Sequence, residues 1–301
     1  MSDQGFASRI KSALKPLAAR VIRPGLATVQ ERLDQIEQVL TLEKEDRYKY
    51  QSELAYWRYL VREGGSQRDF GDSFEVVFGR WQRRRLDKLA EFMSIAIDGP
   101  GGIDDWCSSR SAIEIGAGPY PALGAAAKGW KRAVAVDPIA RGYVEESLVP
   151  DCCGDIVYIE AKGEQIPLPS GFADLIINEN CLDHVTDPDA VIREMFRLLK
   201  PGGLIWFFVD LSNHIDQMHP HAMNEQKVRR LLGEVGGFTF VRDEVSSHKA
   251  HPQAYGGFRA LLQRPPLTLS SIIQPVVDTP RVTIAASSAH NGAISGAISR
   301  H

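Results

Sequence analysis

AIEIGAGPYPALGAAAKGWKRAVAVD, residues 112–137, is the stretch that decides the fold. An apolar run through Ile113 and Ile115 ends at Gly116-Ala117-Gly118, and a second run, Ala133-Val134-Ala135-Val136, stops at Asp137. The order is strand, glycine turn, helix, and a strand ending in a carboxylate. Such a turn lets a ligand lie against bare backbone. A carboxylate about 20 residues further on is where nucleotide-binding folds grip ribose hydroxyls. The expectation is a nucleoside-like cofactor, with an ordinary ligand-free turn as the bland alternative.

Two residues argue against a dinucleotide. The third glycine that lets the helix N-terminus meet a pyrophosphate is replaced by Pro121. Glu114 also precedes the first glycine, where a carboxylate suits a cation better than a diphosphate. S-adenosylmethionine has a ribose, a sulfonium and an ammonium, and it carries no phosphate.

Downstream motifs extend the case. Ile166-Pro167-Leu168-Pro169, Phe172-Ala173-Asp174-Leu175-Ile176 and Leu198-Leu199-Lys200-Pro201-Gly202-Gly203 follow in order. With Glu114–Gly118 and Val136-Asp137, they make residues 113 to about 262 resemble the class I S-adenosylmethionine-dependent methyltransferases, above all the small-molecule and glycan branch. The resemblance implies an α/β, doubly wound, mostly parallel seven-stranded Rossmann-like sheet with one antiparallel strand. Here it stands behind an N-terminal helical or coiled-coil arm.

The resemblance also implies cofactor contacts. Glu114 and Gly116 would lie under the methionine part, with Ala117 and Gly118 beside it, and Asp137 would take the ribose diol. Two ionic acceptor oxygens match two adjacent hydroxyl donors. Many relatives have an acid where this chain has Lys162, so adenine is expected at the Gly163 backbone with Glu164 nearby. Asn178, at the end of the fourth strand, completes the expected set. Tyr120 stands where many relatives have a glycine and is read as a cover for the cofactor.

A hydroxyl acceptor needs a base. Six of the eight histidines lie between His184 and His251, on the expected substrate side. His219 and His221, on a loop after the fifth strand, are the leading candidates, and His184 is the third. His219-Pro220-His221 lacks the helical spacing of a zincin. A metal held with Asp210 or Asp216 is weighed, but no metal ligands are assigned. Bracing of backbone carbonyls is the structural alternative for each histidine.

Composition bounds the rest. With 301 residues, 44% hydrophobic and a net charge of −3, the chain can bury one substantial domain, and its charge exerts no general pull on nucleic acid. Asn178-Glu179-Asn180-Cys181 lacks the Pro-Pro-aromatic wall of base-amine methylases, which also disfavours a nucleic-acid substrate. Four cysteines, two of them adjacent, form neither a disulfide framework nor a spaced zinc set, which suggests the cytoplasm. No apolar run is long enough to span a bilayer.

The arm has its own pattern. Residues 1–25 are basic, with Phe6, Ile10, Leu14 and Leu17 at helical spacing. They read as an amphipathic segment for an anionic membrane surface, or as a solvated arm. In residues 26–63, Val29, Leu33, Ile36 and Leu40 share a phase with Tyr50, Leu54, Trp57 and Val61. This predicts a long helix, either a dimeric coiled coil or one packed on its own domain. Residues 64–102 read as a helical lead-in, with the arginines of Gly79–Leu86 on a solvated face or touching a phosphorylated substrate. Residues 103–264 form the methyltransferase domain, and 265–301 a disordered tail.

The functional expectation is O-methylation of a small-molecule or carbohydrate acceptor, as in cell-surface glycan pathways. C- or N-methylation of a lipid or quinone is the alternative enzyme. A scaffold with a degenerate methyltransferase fold is the alternative without catalysis.

Overall fold

Side chains alternate across a strand, so the largely apolar runs through Ile113, Ile176 and Phe207 give the central strands two dry faces, as a sheet covered on both sides requires. The computed structural model describes residues 46–62 and 74–267. Its seven strands are β1 (Ser111–Ile115), β2 (Arg132–Asp137), β3 (Val157–Glu160), β4 (Ala173–Glu179), β5 (Leu199–Leu211), β6 (Thr239–Ser246) and β7 (Gly256–Gln263). They form one sheet in the order β3-β2-β1-β4-β5-β7-β6. The strands β3, β2, β1, β4 and β5 run parallel, and β7 is antiparallel to both β5 and β6. This is the expected seven-stranded, doubly wound fold.

Helix α1 occupies residues 46–62. The others are α2 (Phe74–Met93), α3 (Ile103–Ser108), α4 (Ala140–Glu145), α5 (Pro188–Leu198) and α6 (Glu225–Arg230). Local chemistry explains their starts. Asp187 caps α5 by accepting from the Ala190 N–H, with Pro188 at the first helical position. Asn224 caps α6 in the same way through Lys227. One face of the sheet packs Ile113, Val136, Ile176 and Phe207 against Val191 and Met195 of α5. On the other, Ala112, Leu175 and Trp206 meet Leu86, Leu89 and Phe92 of α2.

Two expectations are corrected here. The helix expected between β1 and β2 is only a 3-10 turn, Ala122–Ala125. Pro119 and Pro121 withhold backbone donors at its start. At Gly124, a Cβ would lie 2.5 Å from the Cys153 sulfur. The sheet face left open is covered by α2, which is therefore core and not a lead-in. Its arginines are not simply a solvated face either: Arg83 pairs with Asp87 at 2.7 Å and Asp104 at 2.9 Å, and Arg85 is buried.

Helix α1 lies on its own domain. The seam residues Tyr50, Leu54, Trp57 and Val61 pack against Ile139, Tyr143 and Leu148. Arg58 fixes the contact with a 2.6 Å bond to Glu146. Over residues 46–62 the heptad pattern is thus satisfied within the chain, as a packed helix and not as a dimer seam. The basic segment 1–25, the seam residues Val29–Leu40 and the tail beyond residue 267 lie outside the described residues. No helix of the described residues is long and apolar enough to cross a membrane.

Arg85 joins the layers. From α2 it donates to Glu114 of β1 at 2.5 Å and to Glu179 of β4. Glu179 also accepts the Trp206 indole N–H at 2.7 Å, and Glu114 accepts the Leu123 N–H at 3.2 Å. Burial opposes the guanidinium charge, but the two carboxylates outweigh it and hold its pKa above the ordinary value. Arg85→Met would leave two buried carboxylates without their cation. Urea unfolding should show a loss of about 3–5 kcal/mol. A loss within about 0.5 kcal/mol, the range of an ordinary surface substitution, would refute this role.

Candidate functional site

Parallel strands open their carboxyl ends into a crevice where the strand order reverses. Here β1, β2 and β4 open into a cavity of about 810 Å³. Gly116 and Gly118 both have positive φ, +70° and +58°. A Cβ at Gly116 would lie 2.4 Å from Cys181 Cβ, and one at Gly118 would lie 3.2 Å from the Trp57 ring. Only glycine lets the turn carry a ligand between these walls. Asp137 is buried at the cavity edge, and its two oxygens accept the Gly118 and Ile139 N–H groups, each at 3.0 Å. Burial, and then the nearby Glu53 carboxylate, raise its pKa to about 7.

Glu53 comes from α1, which supplies a wall that sequence reading missed. Its carboxylate lies in the cavity, hydrogen-bonded to Trp57, and burial raises its pKa. Lys49 donates to the His184 carbonyl. Asp46, also of α1, pairs with Lys162 at the cavity wall. The available signal was the pair of aromatics, Tyr50 and Trp57, in a seam expected to be aliphatic.

The structure sorts the remaining expected residues. Ala117, Gly163 and Glu164 line the cavity. Glu164 also accepts the Thr186 and Asp187 N–H groups at 2.8 and 3.1 Å. Glu114 is not among the cavity-lining residues: its carboxylate is buried behind Arg85, which pairs with it and itself lines the cavity. Asn178 is fully buried, donating to Cys181 Sγ at 2.8 Å, and the next residues, Glu179 and Asn180, line the cavity instead.

Of the three histidines, only His184 faces the cavity. Burial, followed by the charges of His219 and Lys49, lowers its pKa to about 3, which makes it a weak base. His221 Nε2 bonds the Val185 carbonyl at 3.0 Å, so it braces the loop. His219 is held by Asp216 at 3.0 Å, and its ring lies 4.4 Å from that of His184, tilted by 54°. The histidine at the far end of the cavity is His248, 5.7 Å from the Phe208 ring.

That far end is basic and aromatic. Arg80, Trp81 and Arg84 line it from one face of α2, and Phe208 and Arg259 line it from the sheet. The Arg259 guanidinium lies 4.9 Å over Phe208; one of its nitrogens bonds Glu244 at 2.8 Å, while its buried Nε is unpartnered. Around the glycine turn and α1 the lining holds Asp46, Glu53, Asp137 and Glu164 against Lys49 and Lys162, while Glu179, the acid lining the α2 side, is paired with Arg85. The cavity is thus acidic at one end and basic at the other.

Residues 113–207 match the family described as "Methyltransferase domain". With the strand order, this defines a class I methyltransferase fold of the S-adenosylmethionine-dependent type. The ubiquinone/menaquinone biosynthesis C-methyltransferase UbiE of Vibrio vulnificus (strain YJ016) is 46% identical over 50 residues, covering 17% of this chain and 19% of that protein. The UbiE of Edwardsiella ictaluri (strain 93-146) is 44% identical over 103 residues, covering 32% and 40%. The chain thus spans at most 40% of the length of these curated relatives. The N-methyltransferase NodS from Bradyrhizobium japonicum WM9, solved with S-adenosyl-L-homocysteine, is 19% identical with a TM-score of 0.49 over 72% of this chain and 98% of that one.

A diol donating to Asp137 needs the ionised carboxylate. Ligand affinity should therefore rise with pH up to the free-protein pKa of about 7 and then level off. Between pH 6 and pH 8, S-adenosylhomocysteine should bind about tenfold more tightly, by calorimetry. Asp137→Asn should weaken binding and flatten the profile. An unchanged slope in that variant would remove Asp137 from the site.

Proposed function

We propose that this chain is an S-adenosylmethionine-dependent methyltransferase acting on an anionic small-molecule or carbohydrate acceptor. The observation that carries this reading is the polarity of the cavity. Its acidic end suits a sulfonium and an ammonium, and its arginine end suits a carboxylate or phosphate. S-adenosylmethionine, when bound, supplies an electrophilic methyl group.

The chain's own residues position the partners. Asp137 holds the ribose, Gly116 and Gly118 admit the ligand backbone-close, and Glu53 compensates positive charge from above. Trp57 and helix α1 exclude water over the glycine turn. At the other end, Arg84 and Arg259 hold the acceptor's anionic group while Trp81 and Phe208 flank its body. In-line transfer then depends chiefly on this alignment. For O-methylation of a hydroxyl, His248 takes the proton, in the role first assigned to His219 and His221. A second reading, C-methylation of a quinone-like acceptor, draws support from the UbiE matches.

The test is binding to protein saturated with S-adenosylhomocysteine. Phenyl phosphate and benzoate should bind at least tenfold more tightly than benzyl alcohol, about 1.4 kcal/mol. Arg84→Gln should erase that difference and leave cofactor affinity unchanged. Equal binding of the neutral and anionic probes would overturn the anionic acceptor and favour the quinone reading. Failure of the folded protein to bind S-adenosylhomocysteine would overturn the methyltransferase itself.

A further inference from the structure

The loop after β4 and the loop after β5 meet beside the cavity, and their contact carries more than packing. Asp183, His184 and His219 bring one ligand atom each to within 4.8 Å of one another. Asp183 is 94% buried, being 6% exposed, and its Oδ1 has no hydrogen-bond partner. It lies 3.9 Å from His184 Nε2, too far for a hydrogen bond. An ionised carboxylate oxygen left in this state is costly unless a cation meets it.

The histidines are arranged to match. Asp216 Oδ1 engages His219 Nδ1 at 3.0 Å, which leaves Nε2 as the free ring nitrogen. Asp216 is fixed in turn by the Met218 and His219 N–H groups at 2.8 and 2.7 Å. A carboxylate behind an imidazole is the usual outer support of a metal-bound histidine. The backbone of Met218 is the hydrogen-bonding neighbour of His184. The His219 ring is further held by His251, 4.9 Å away.

Other charges nearby are accounted for. The Lys49 ammonium of α1 is held by the His184 carbonyl. Asp210 of β5 accepts the Ala250 and His251 N–H groups at 2.9 and 2.6 Å, so its charge is solvated by backbone on the far side. Neither supplies Asp183 Oδ1 with a partner.

We infer that Asp183, His184 and His219 form a binding site for a divalent transition-metal ion. Two imidazoles and one carboxylate suit zinc, iron(II), cobalt or manganese, and they are a poor set for magnesium or calcium, which take oxygen ligands. Three protein ligands leave coordination positions open. Because His184 also lines the cavity, the ion would join the wall of the cofactor site to the loop that carries Met218 and His219.

The test uses the full chain and Co²⁺, whose visible absorption reports its coordination. One equivalent of Co²⁺ should bind and give an absorption band, and excess Zn²⁺ should displace it. His219→Ala should abolish the band, and Asp216→Asn should weaken binding by about 10–100-fold through loss of the outer support. His221→Ala, on the same loop but bonded to backbone, should bind like the unaltered protein. Thermal melting without metal keeps misfolding apart from ligand loss. Absence of a Co²⁺ band, or an equal band in His219→Ala, overturns the site. S-adenosylhomocysteine binding measured in parallel separates this outcome from the fate of the methyltransferase reading.

Discussion

The buried Arg85 guanidinium is the point on which the other layers depend. It reaches from helix α2 to carboxylates on β1 and β4, the two strands whose ends build the cofactor turn and the adjoining wall. Its own charge is costly to bury, and so are those of Glu114 and Glu179. Together, with the Trp206 indole and the Leu123 amide, each finds partners. Specificity is the natural return for such an arrangement, because a slipped helix would strand all three charges at once. The position of α2 thereby places Arg80, Trp81 and Arg84 at the cavity.

A second constraint is the covering of the glycine turn. Gly118 leaves its space to the Trp57 ring, and Gly142 leaves room for Leu54, 3.0 Å from where a Cβ would lie. The turn and α4 are thus shaped to receive α1 as much as to receive a ligand. That helix lies outside residues 113–207, the segment matched by the methyltransferase family. It nevertheless brings Asp46, Lys49 and Glu53 to the pocket. There Asp46 meets Lys162. The two residues lie 116 positions apart in the chain.

The histidine-rich segment shows how one composition serves different ends. His221 braces carbonyls, His219 lies tilted between two other histidine rings with a carboxylate behind it, and His184 is desolvated at the cavity wall. Nothing in their spacing distinguishes these roles. The distinction lies in which loop each ring meets, and those loops follow different strands.

Periodicity and turn chemistry in the sequence indicated the two strands of residues 112–137 and the glycine turn between them, because these depend on neighbours in the chain. The family resemblance supplied the rest of the seven-stranded sheet. The heptad phase of Tyr50, Leu54, Trp57 and Val61 was also legible. What those residues face was not, since an apolar stripe fits a partner helix or its own domain equally well. Glu114 was read toward the ligand because it immediately precedes the glycine turn; in the fold it is buried in β1, and Arg85 stands between its carboxylate and the cavity. Only the tertiary structure decided that α2 replaces a missing crossover helix and that arginines 80 and 84 border a cavity. It alone put Asp183, His184 and His219 at one point. Such juxtapositions arise from long-range packing of separate elements, and local sequence carries no record of the distance between them.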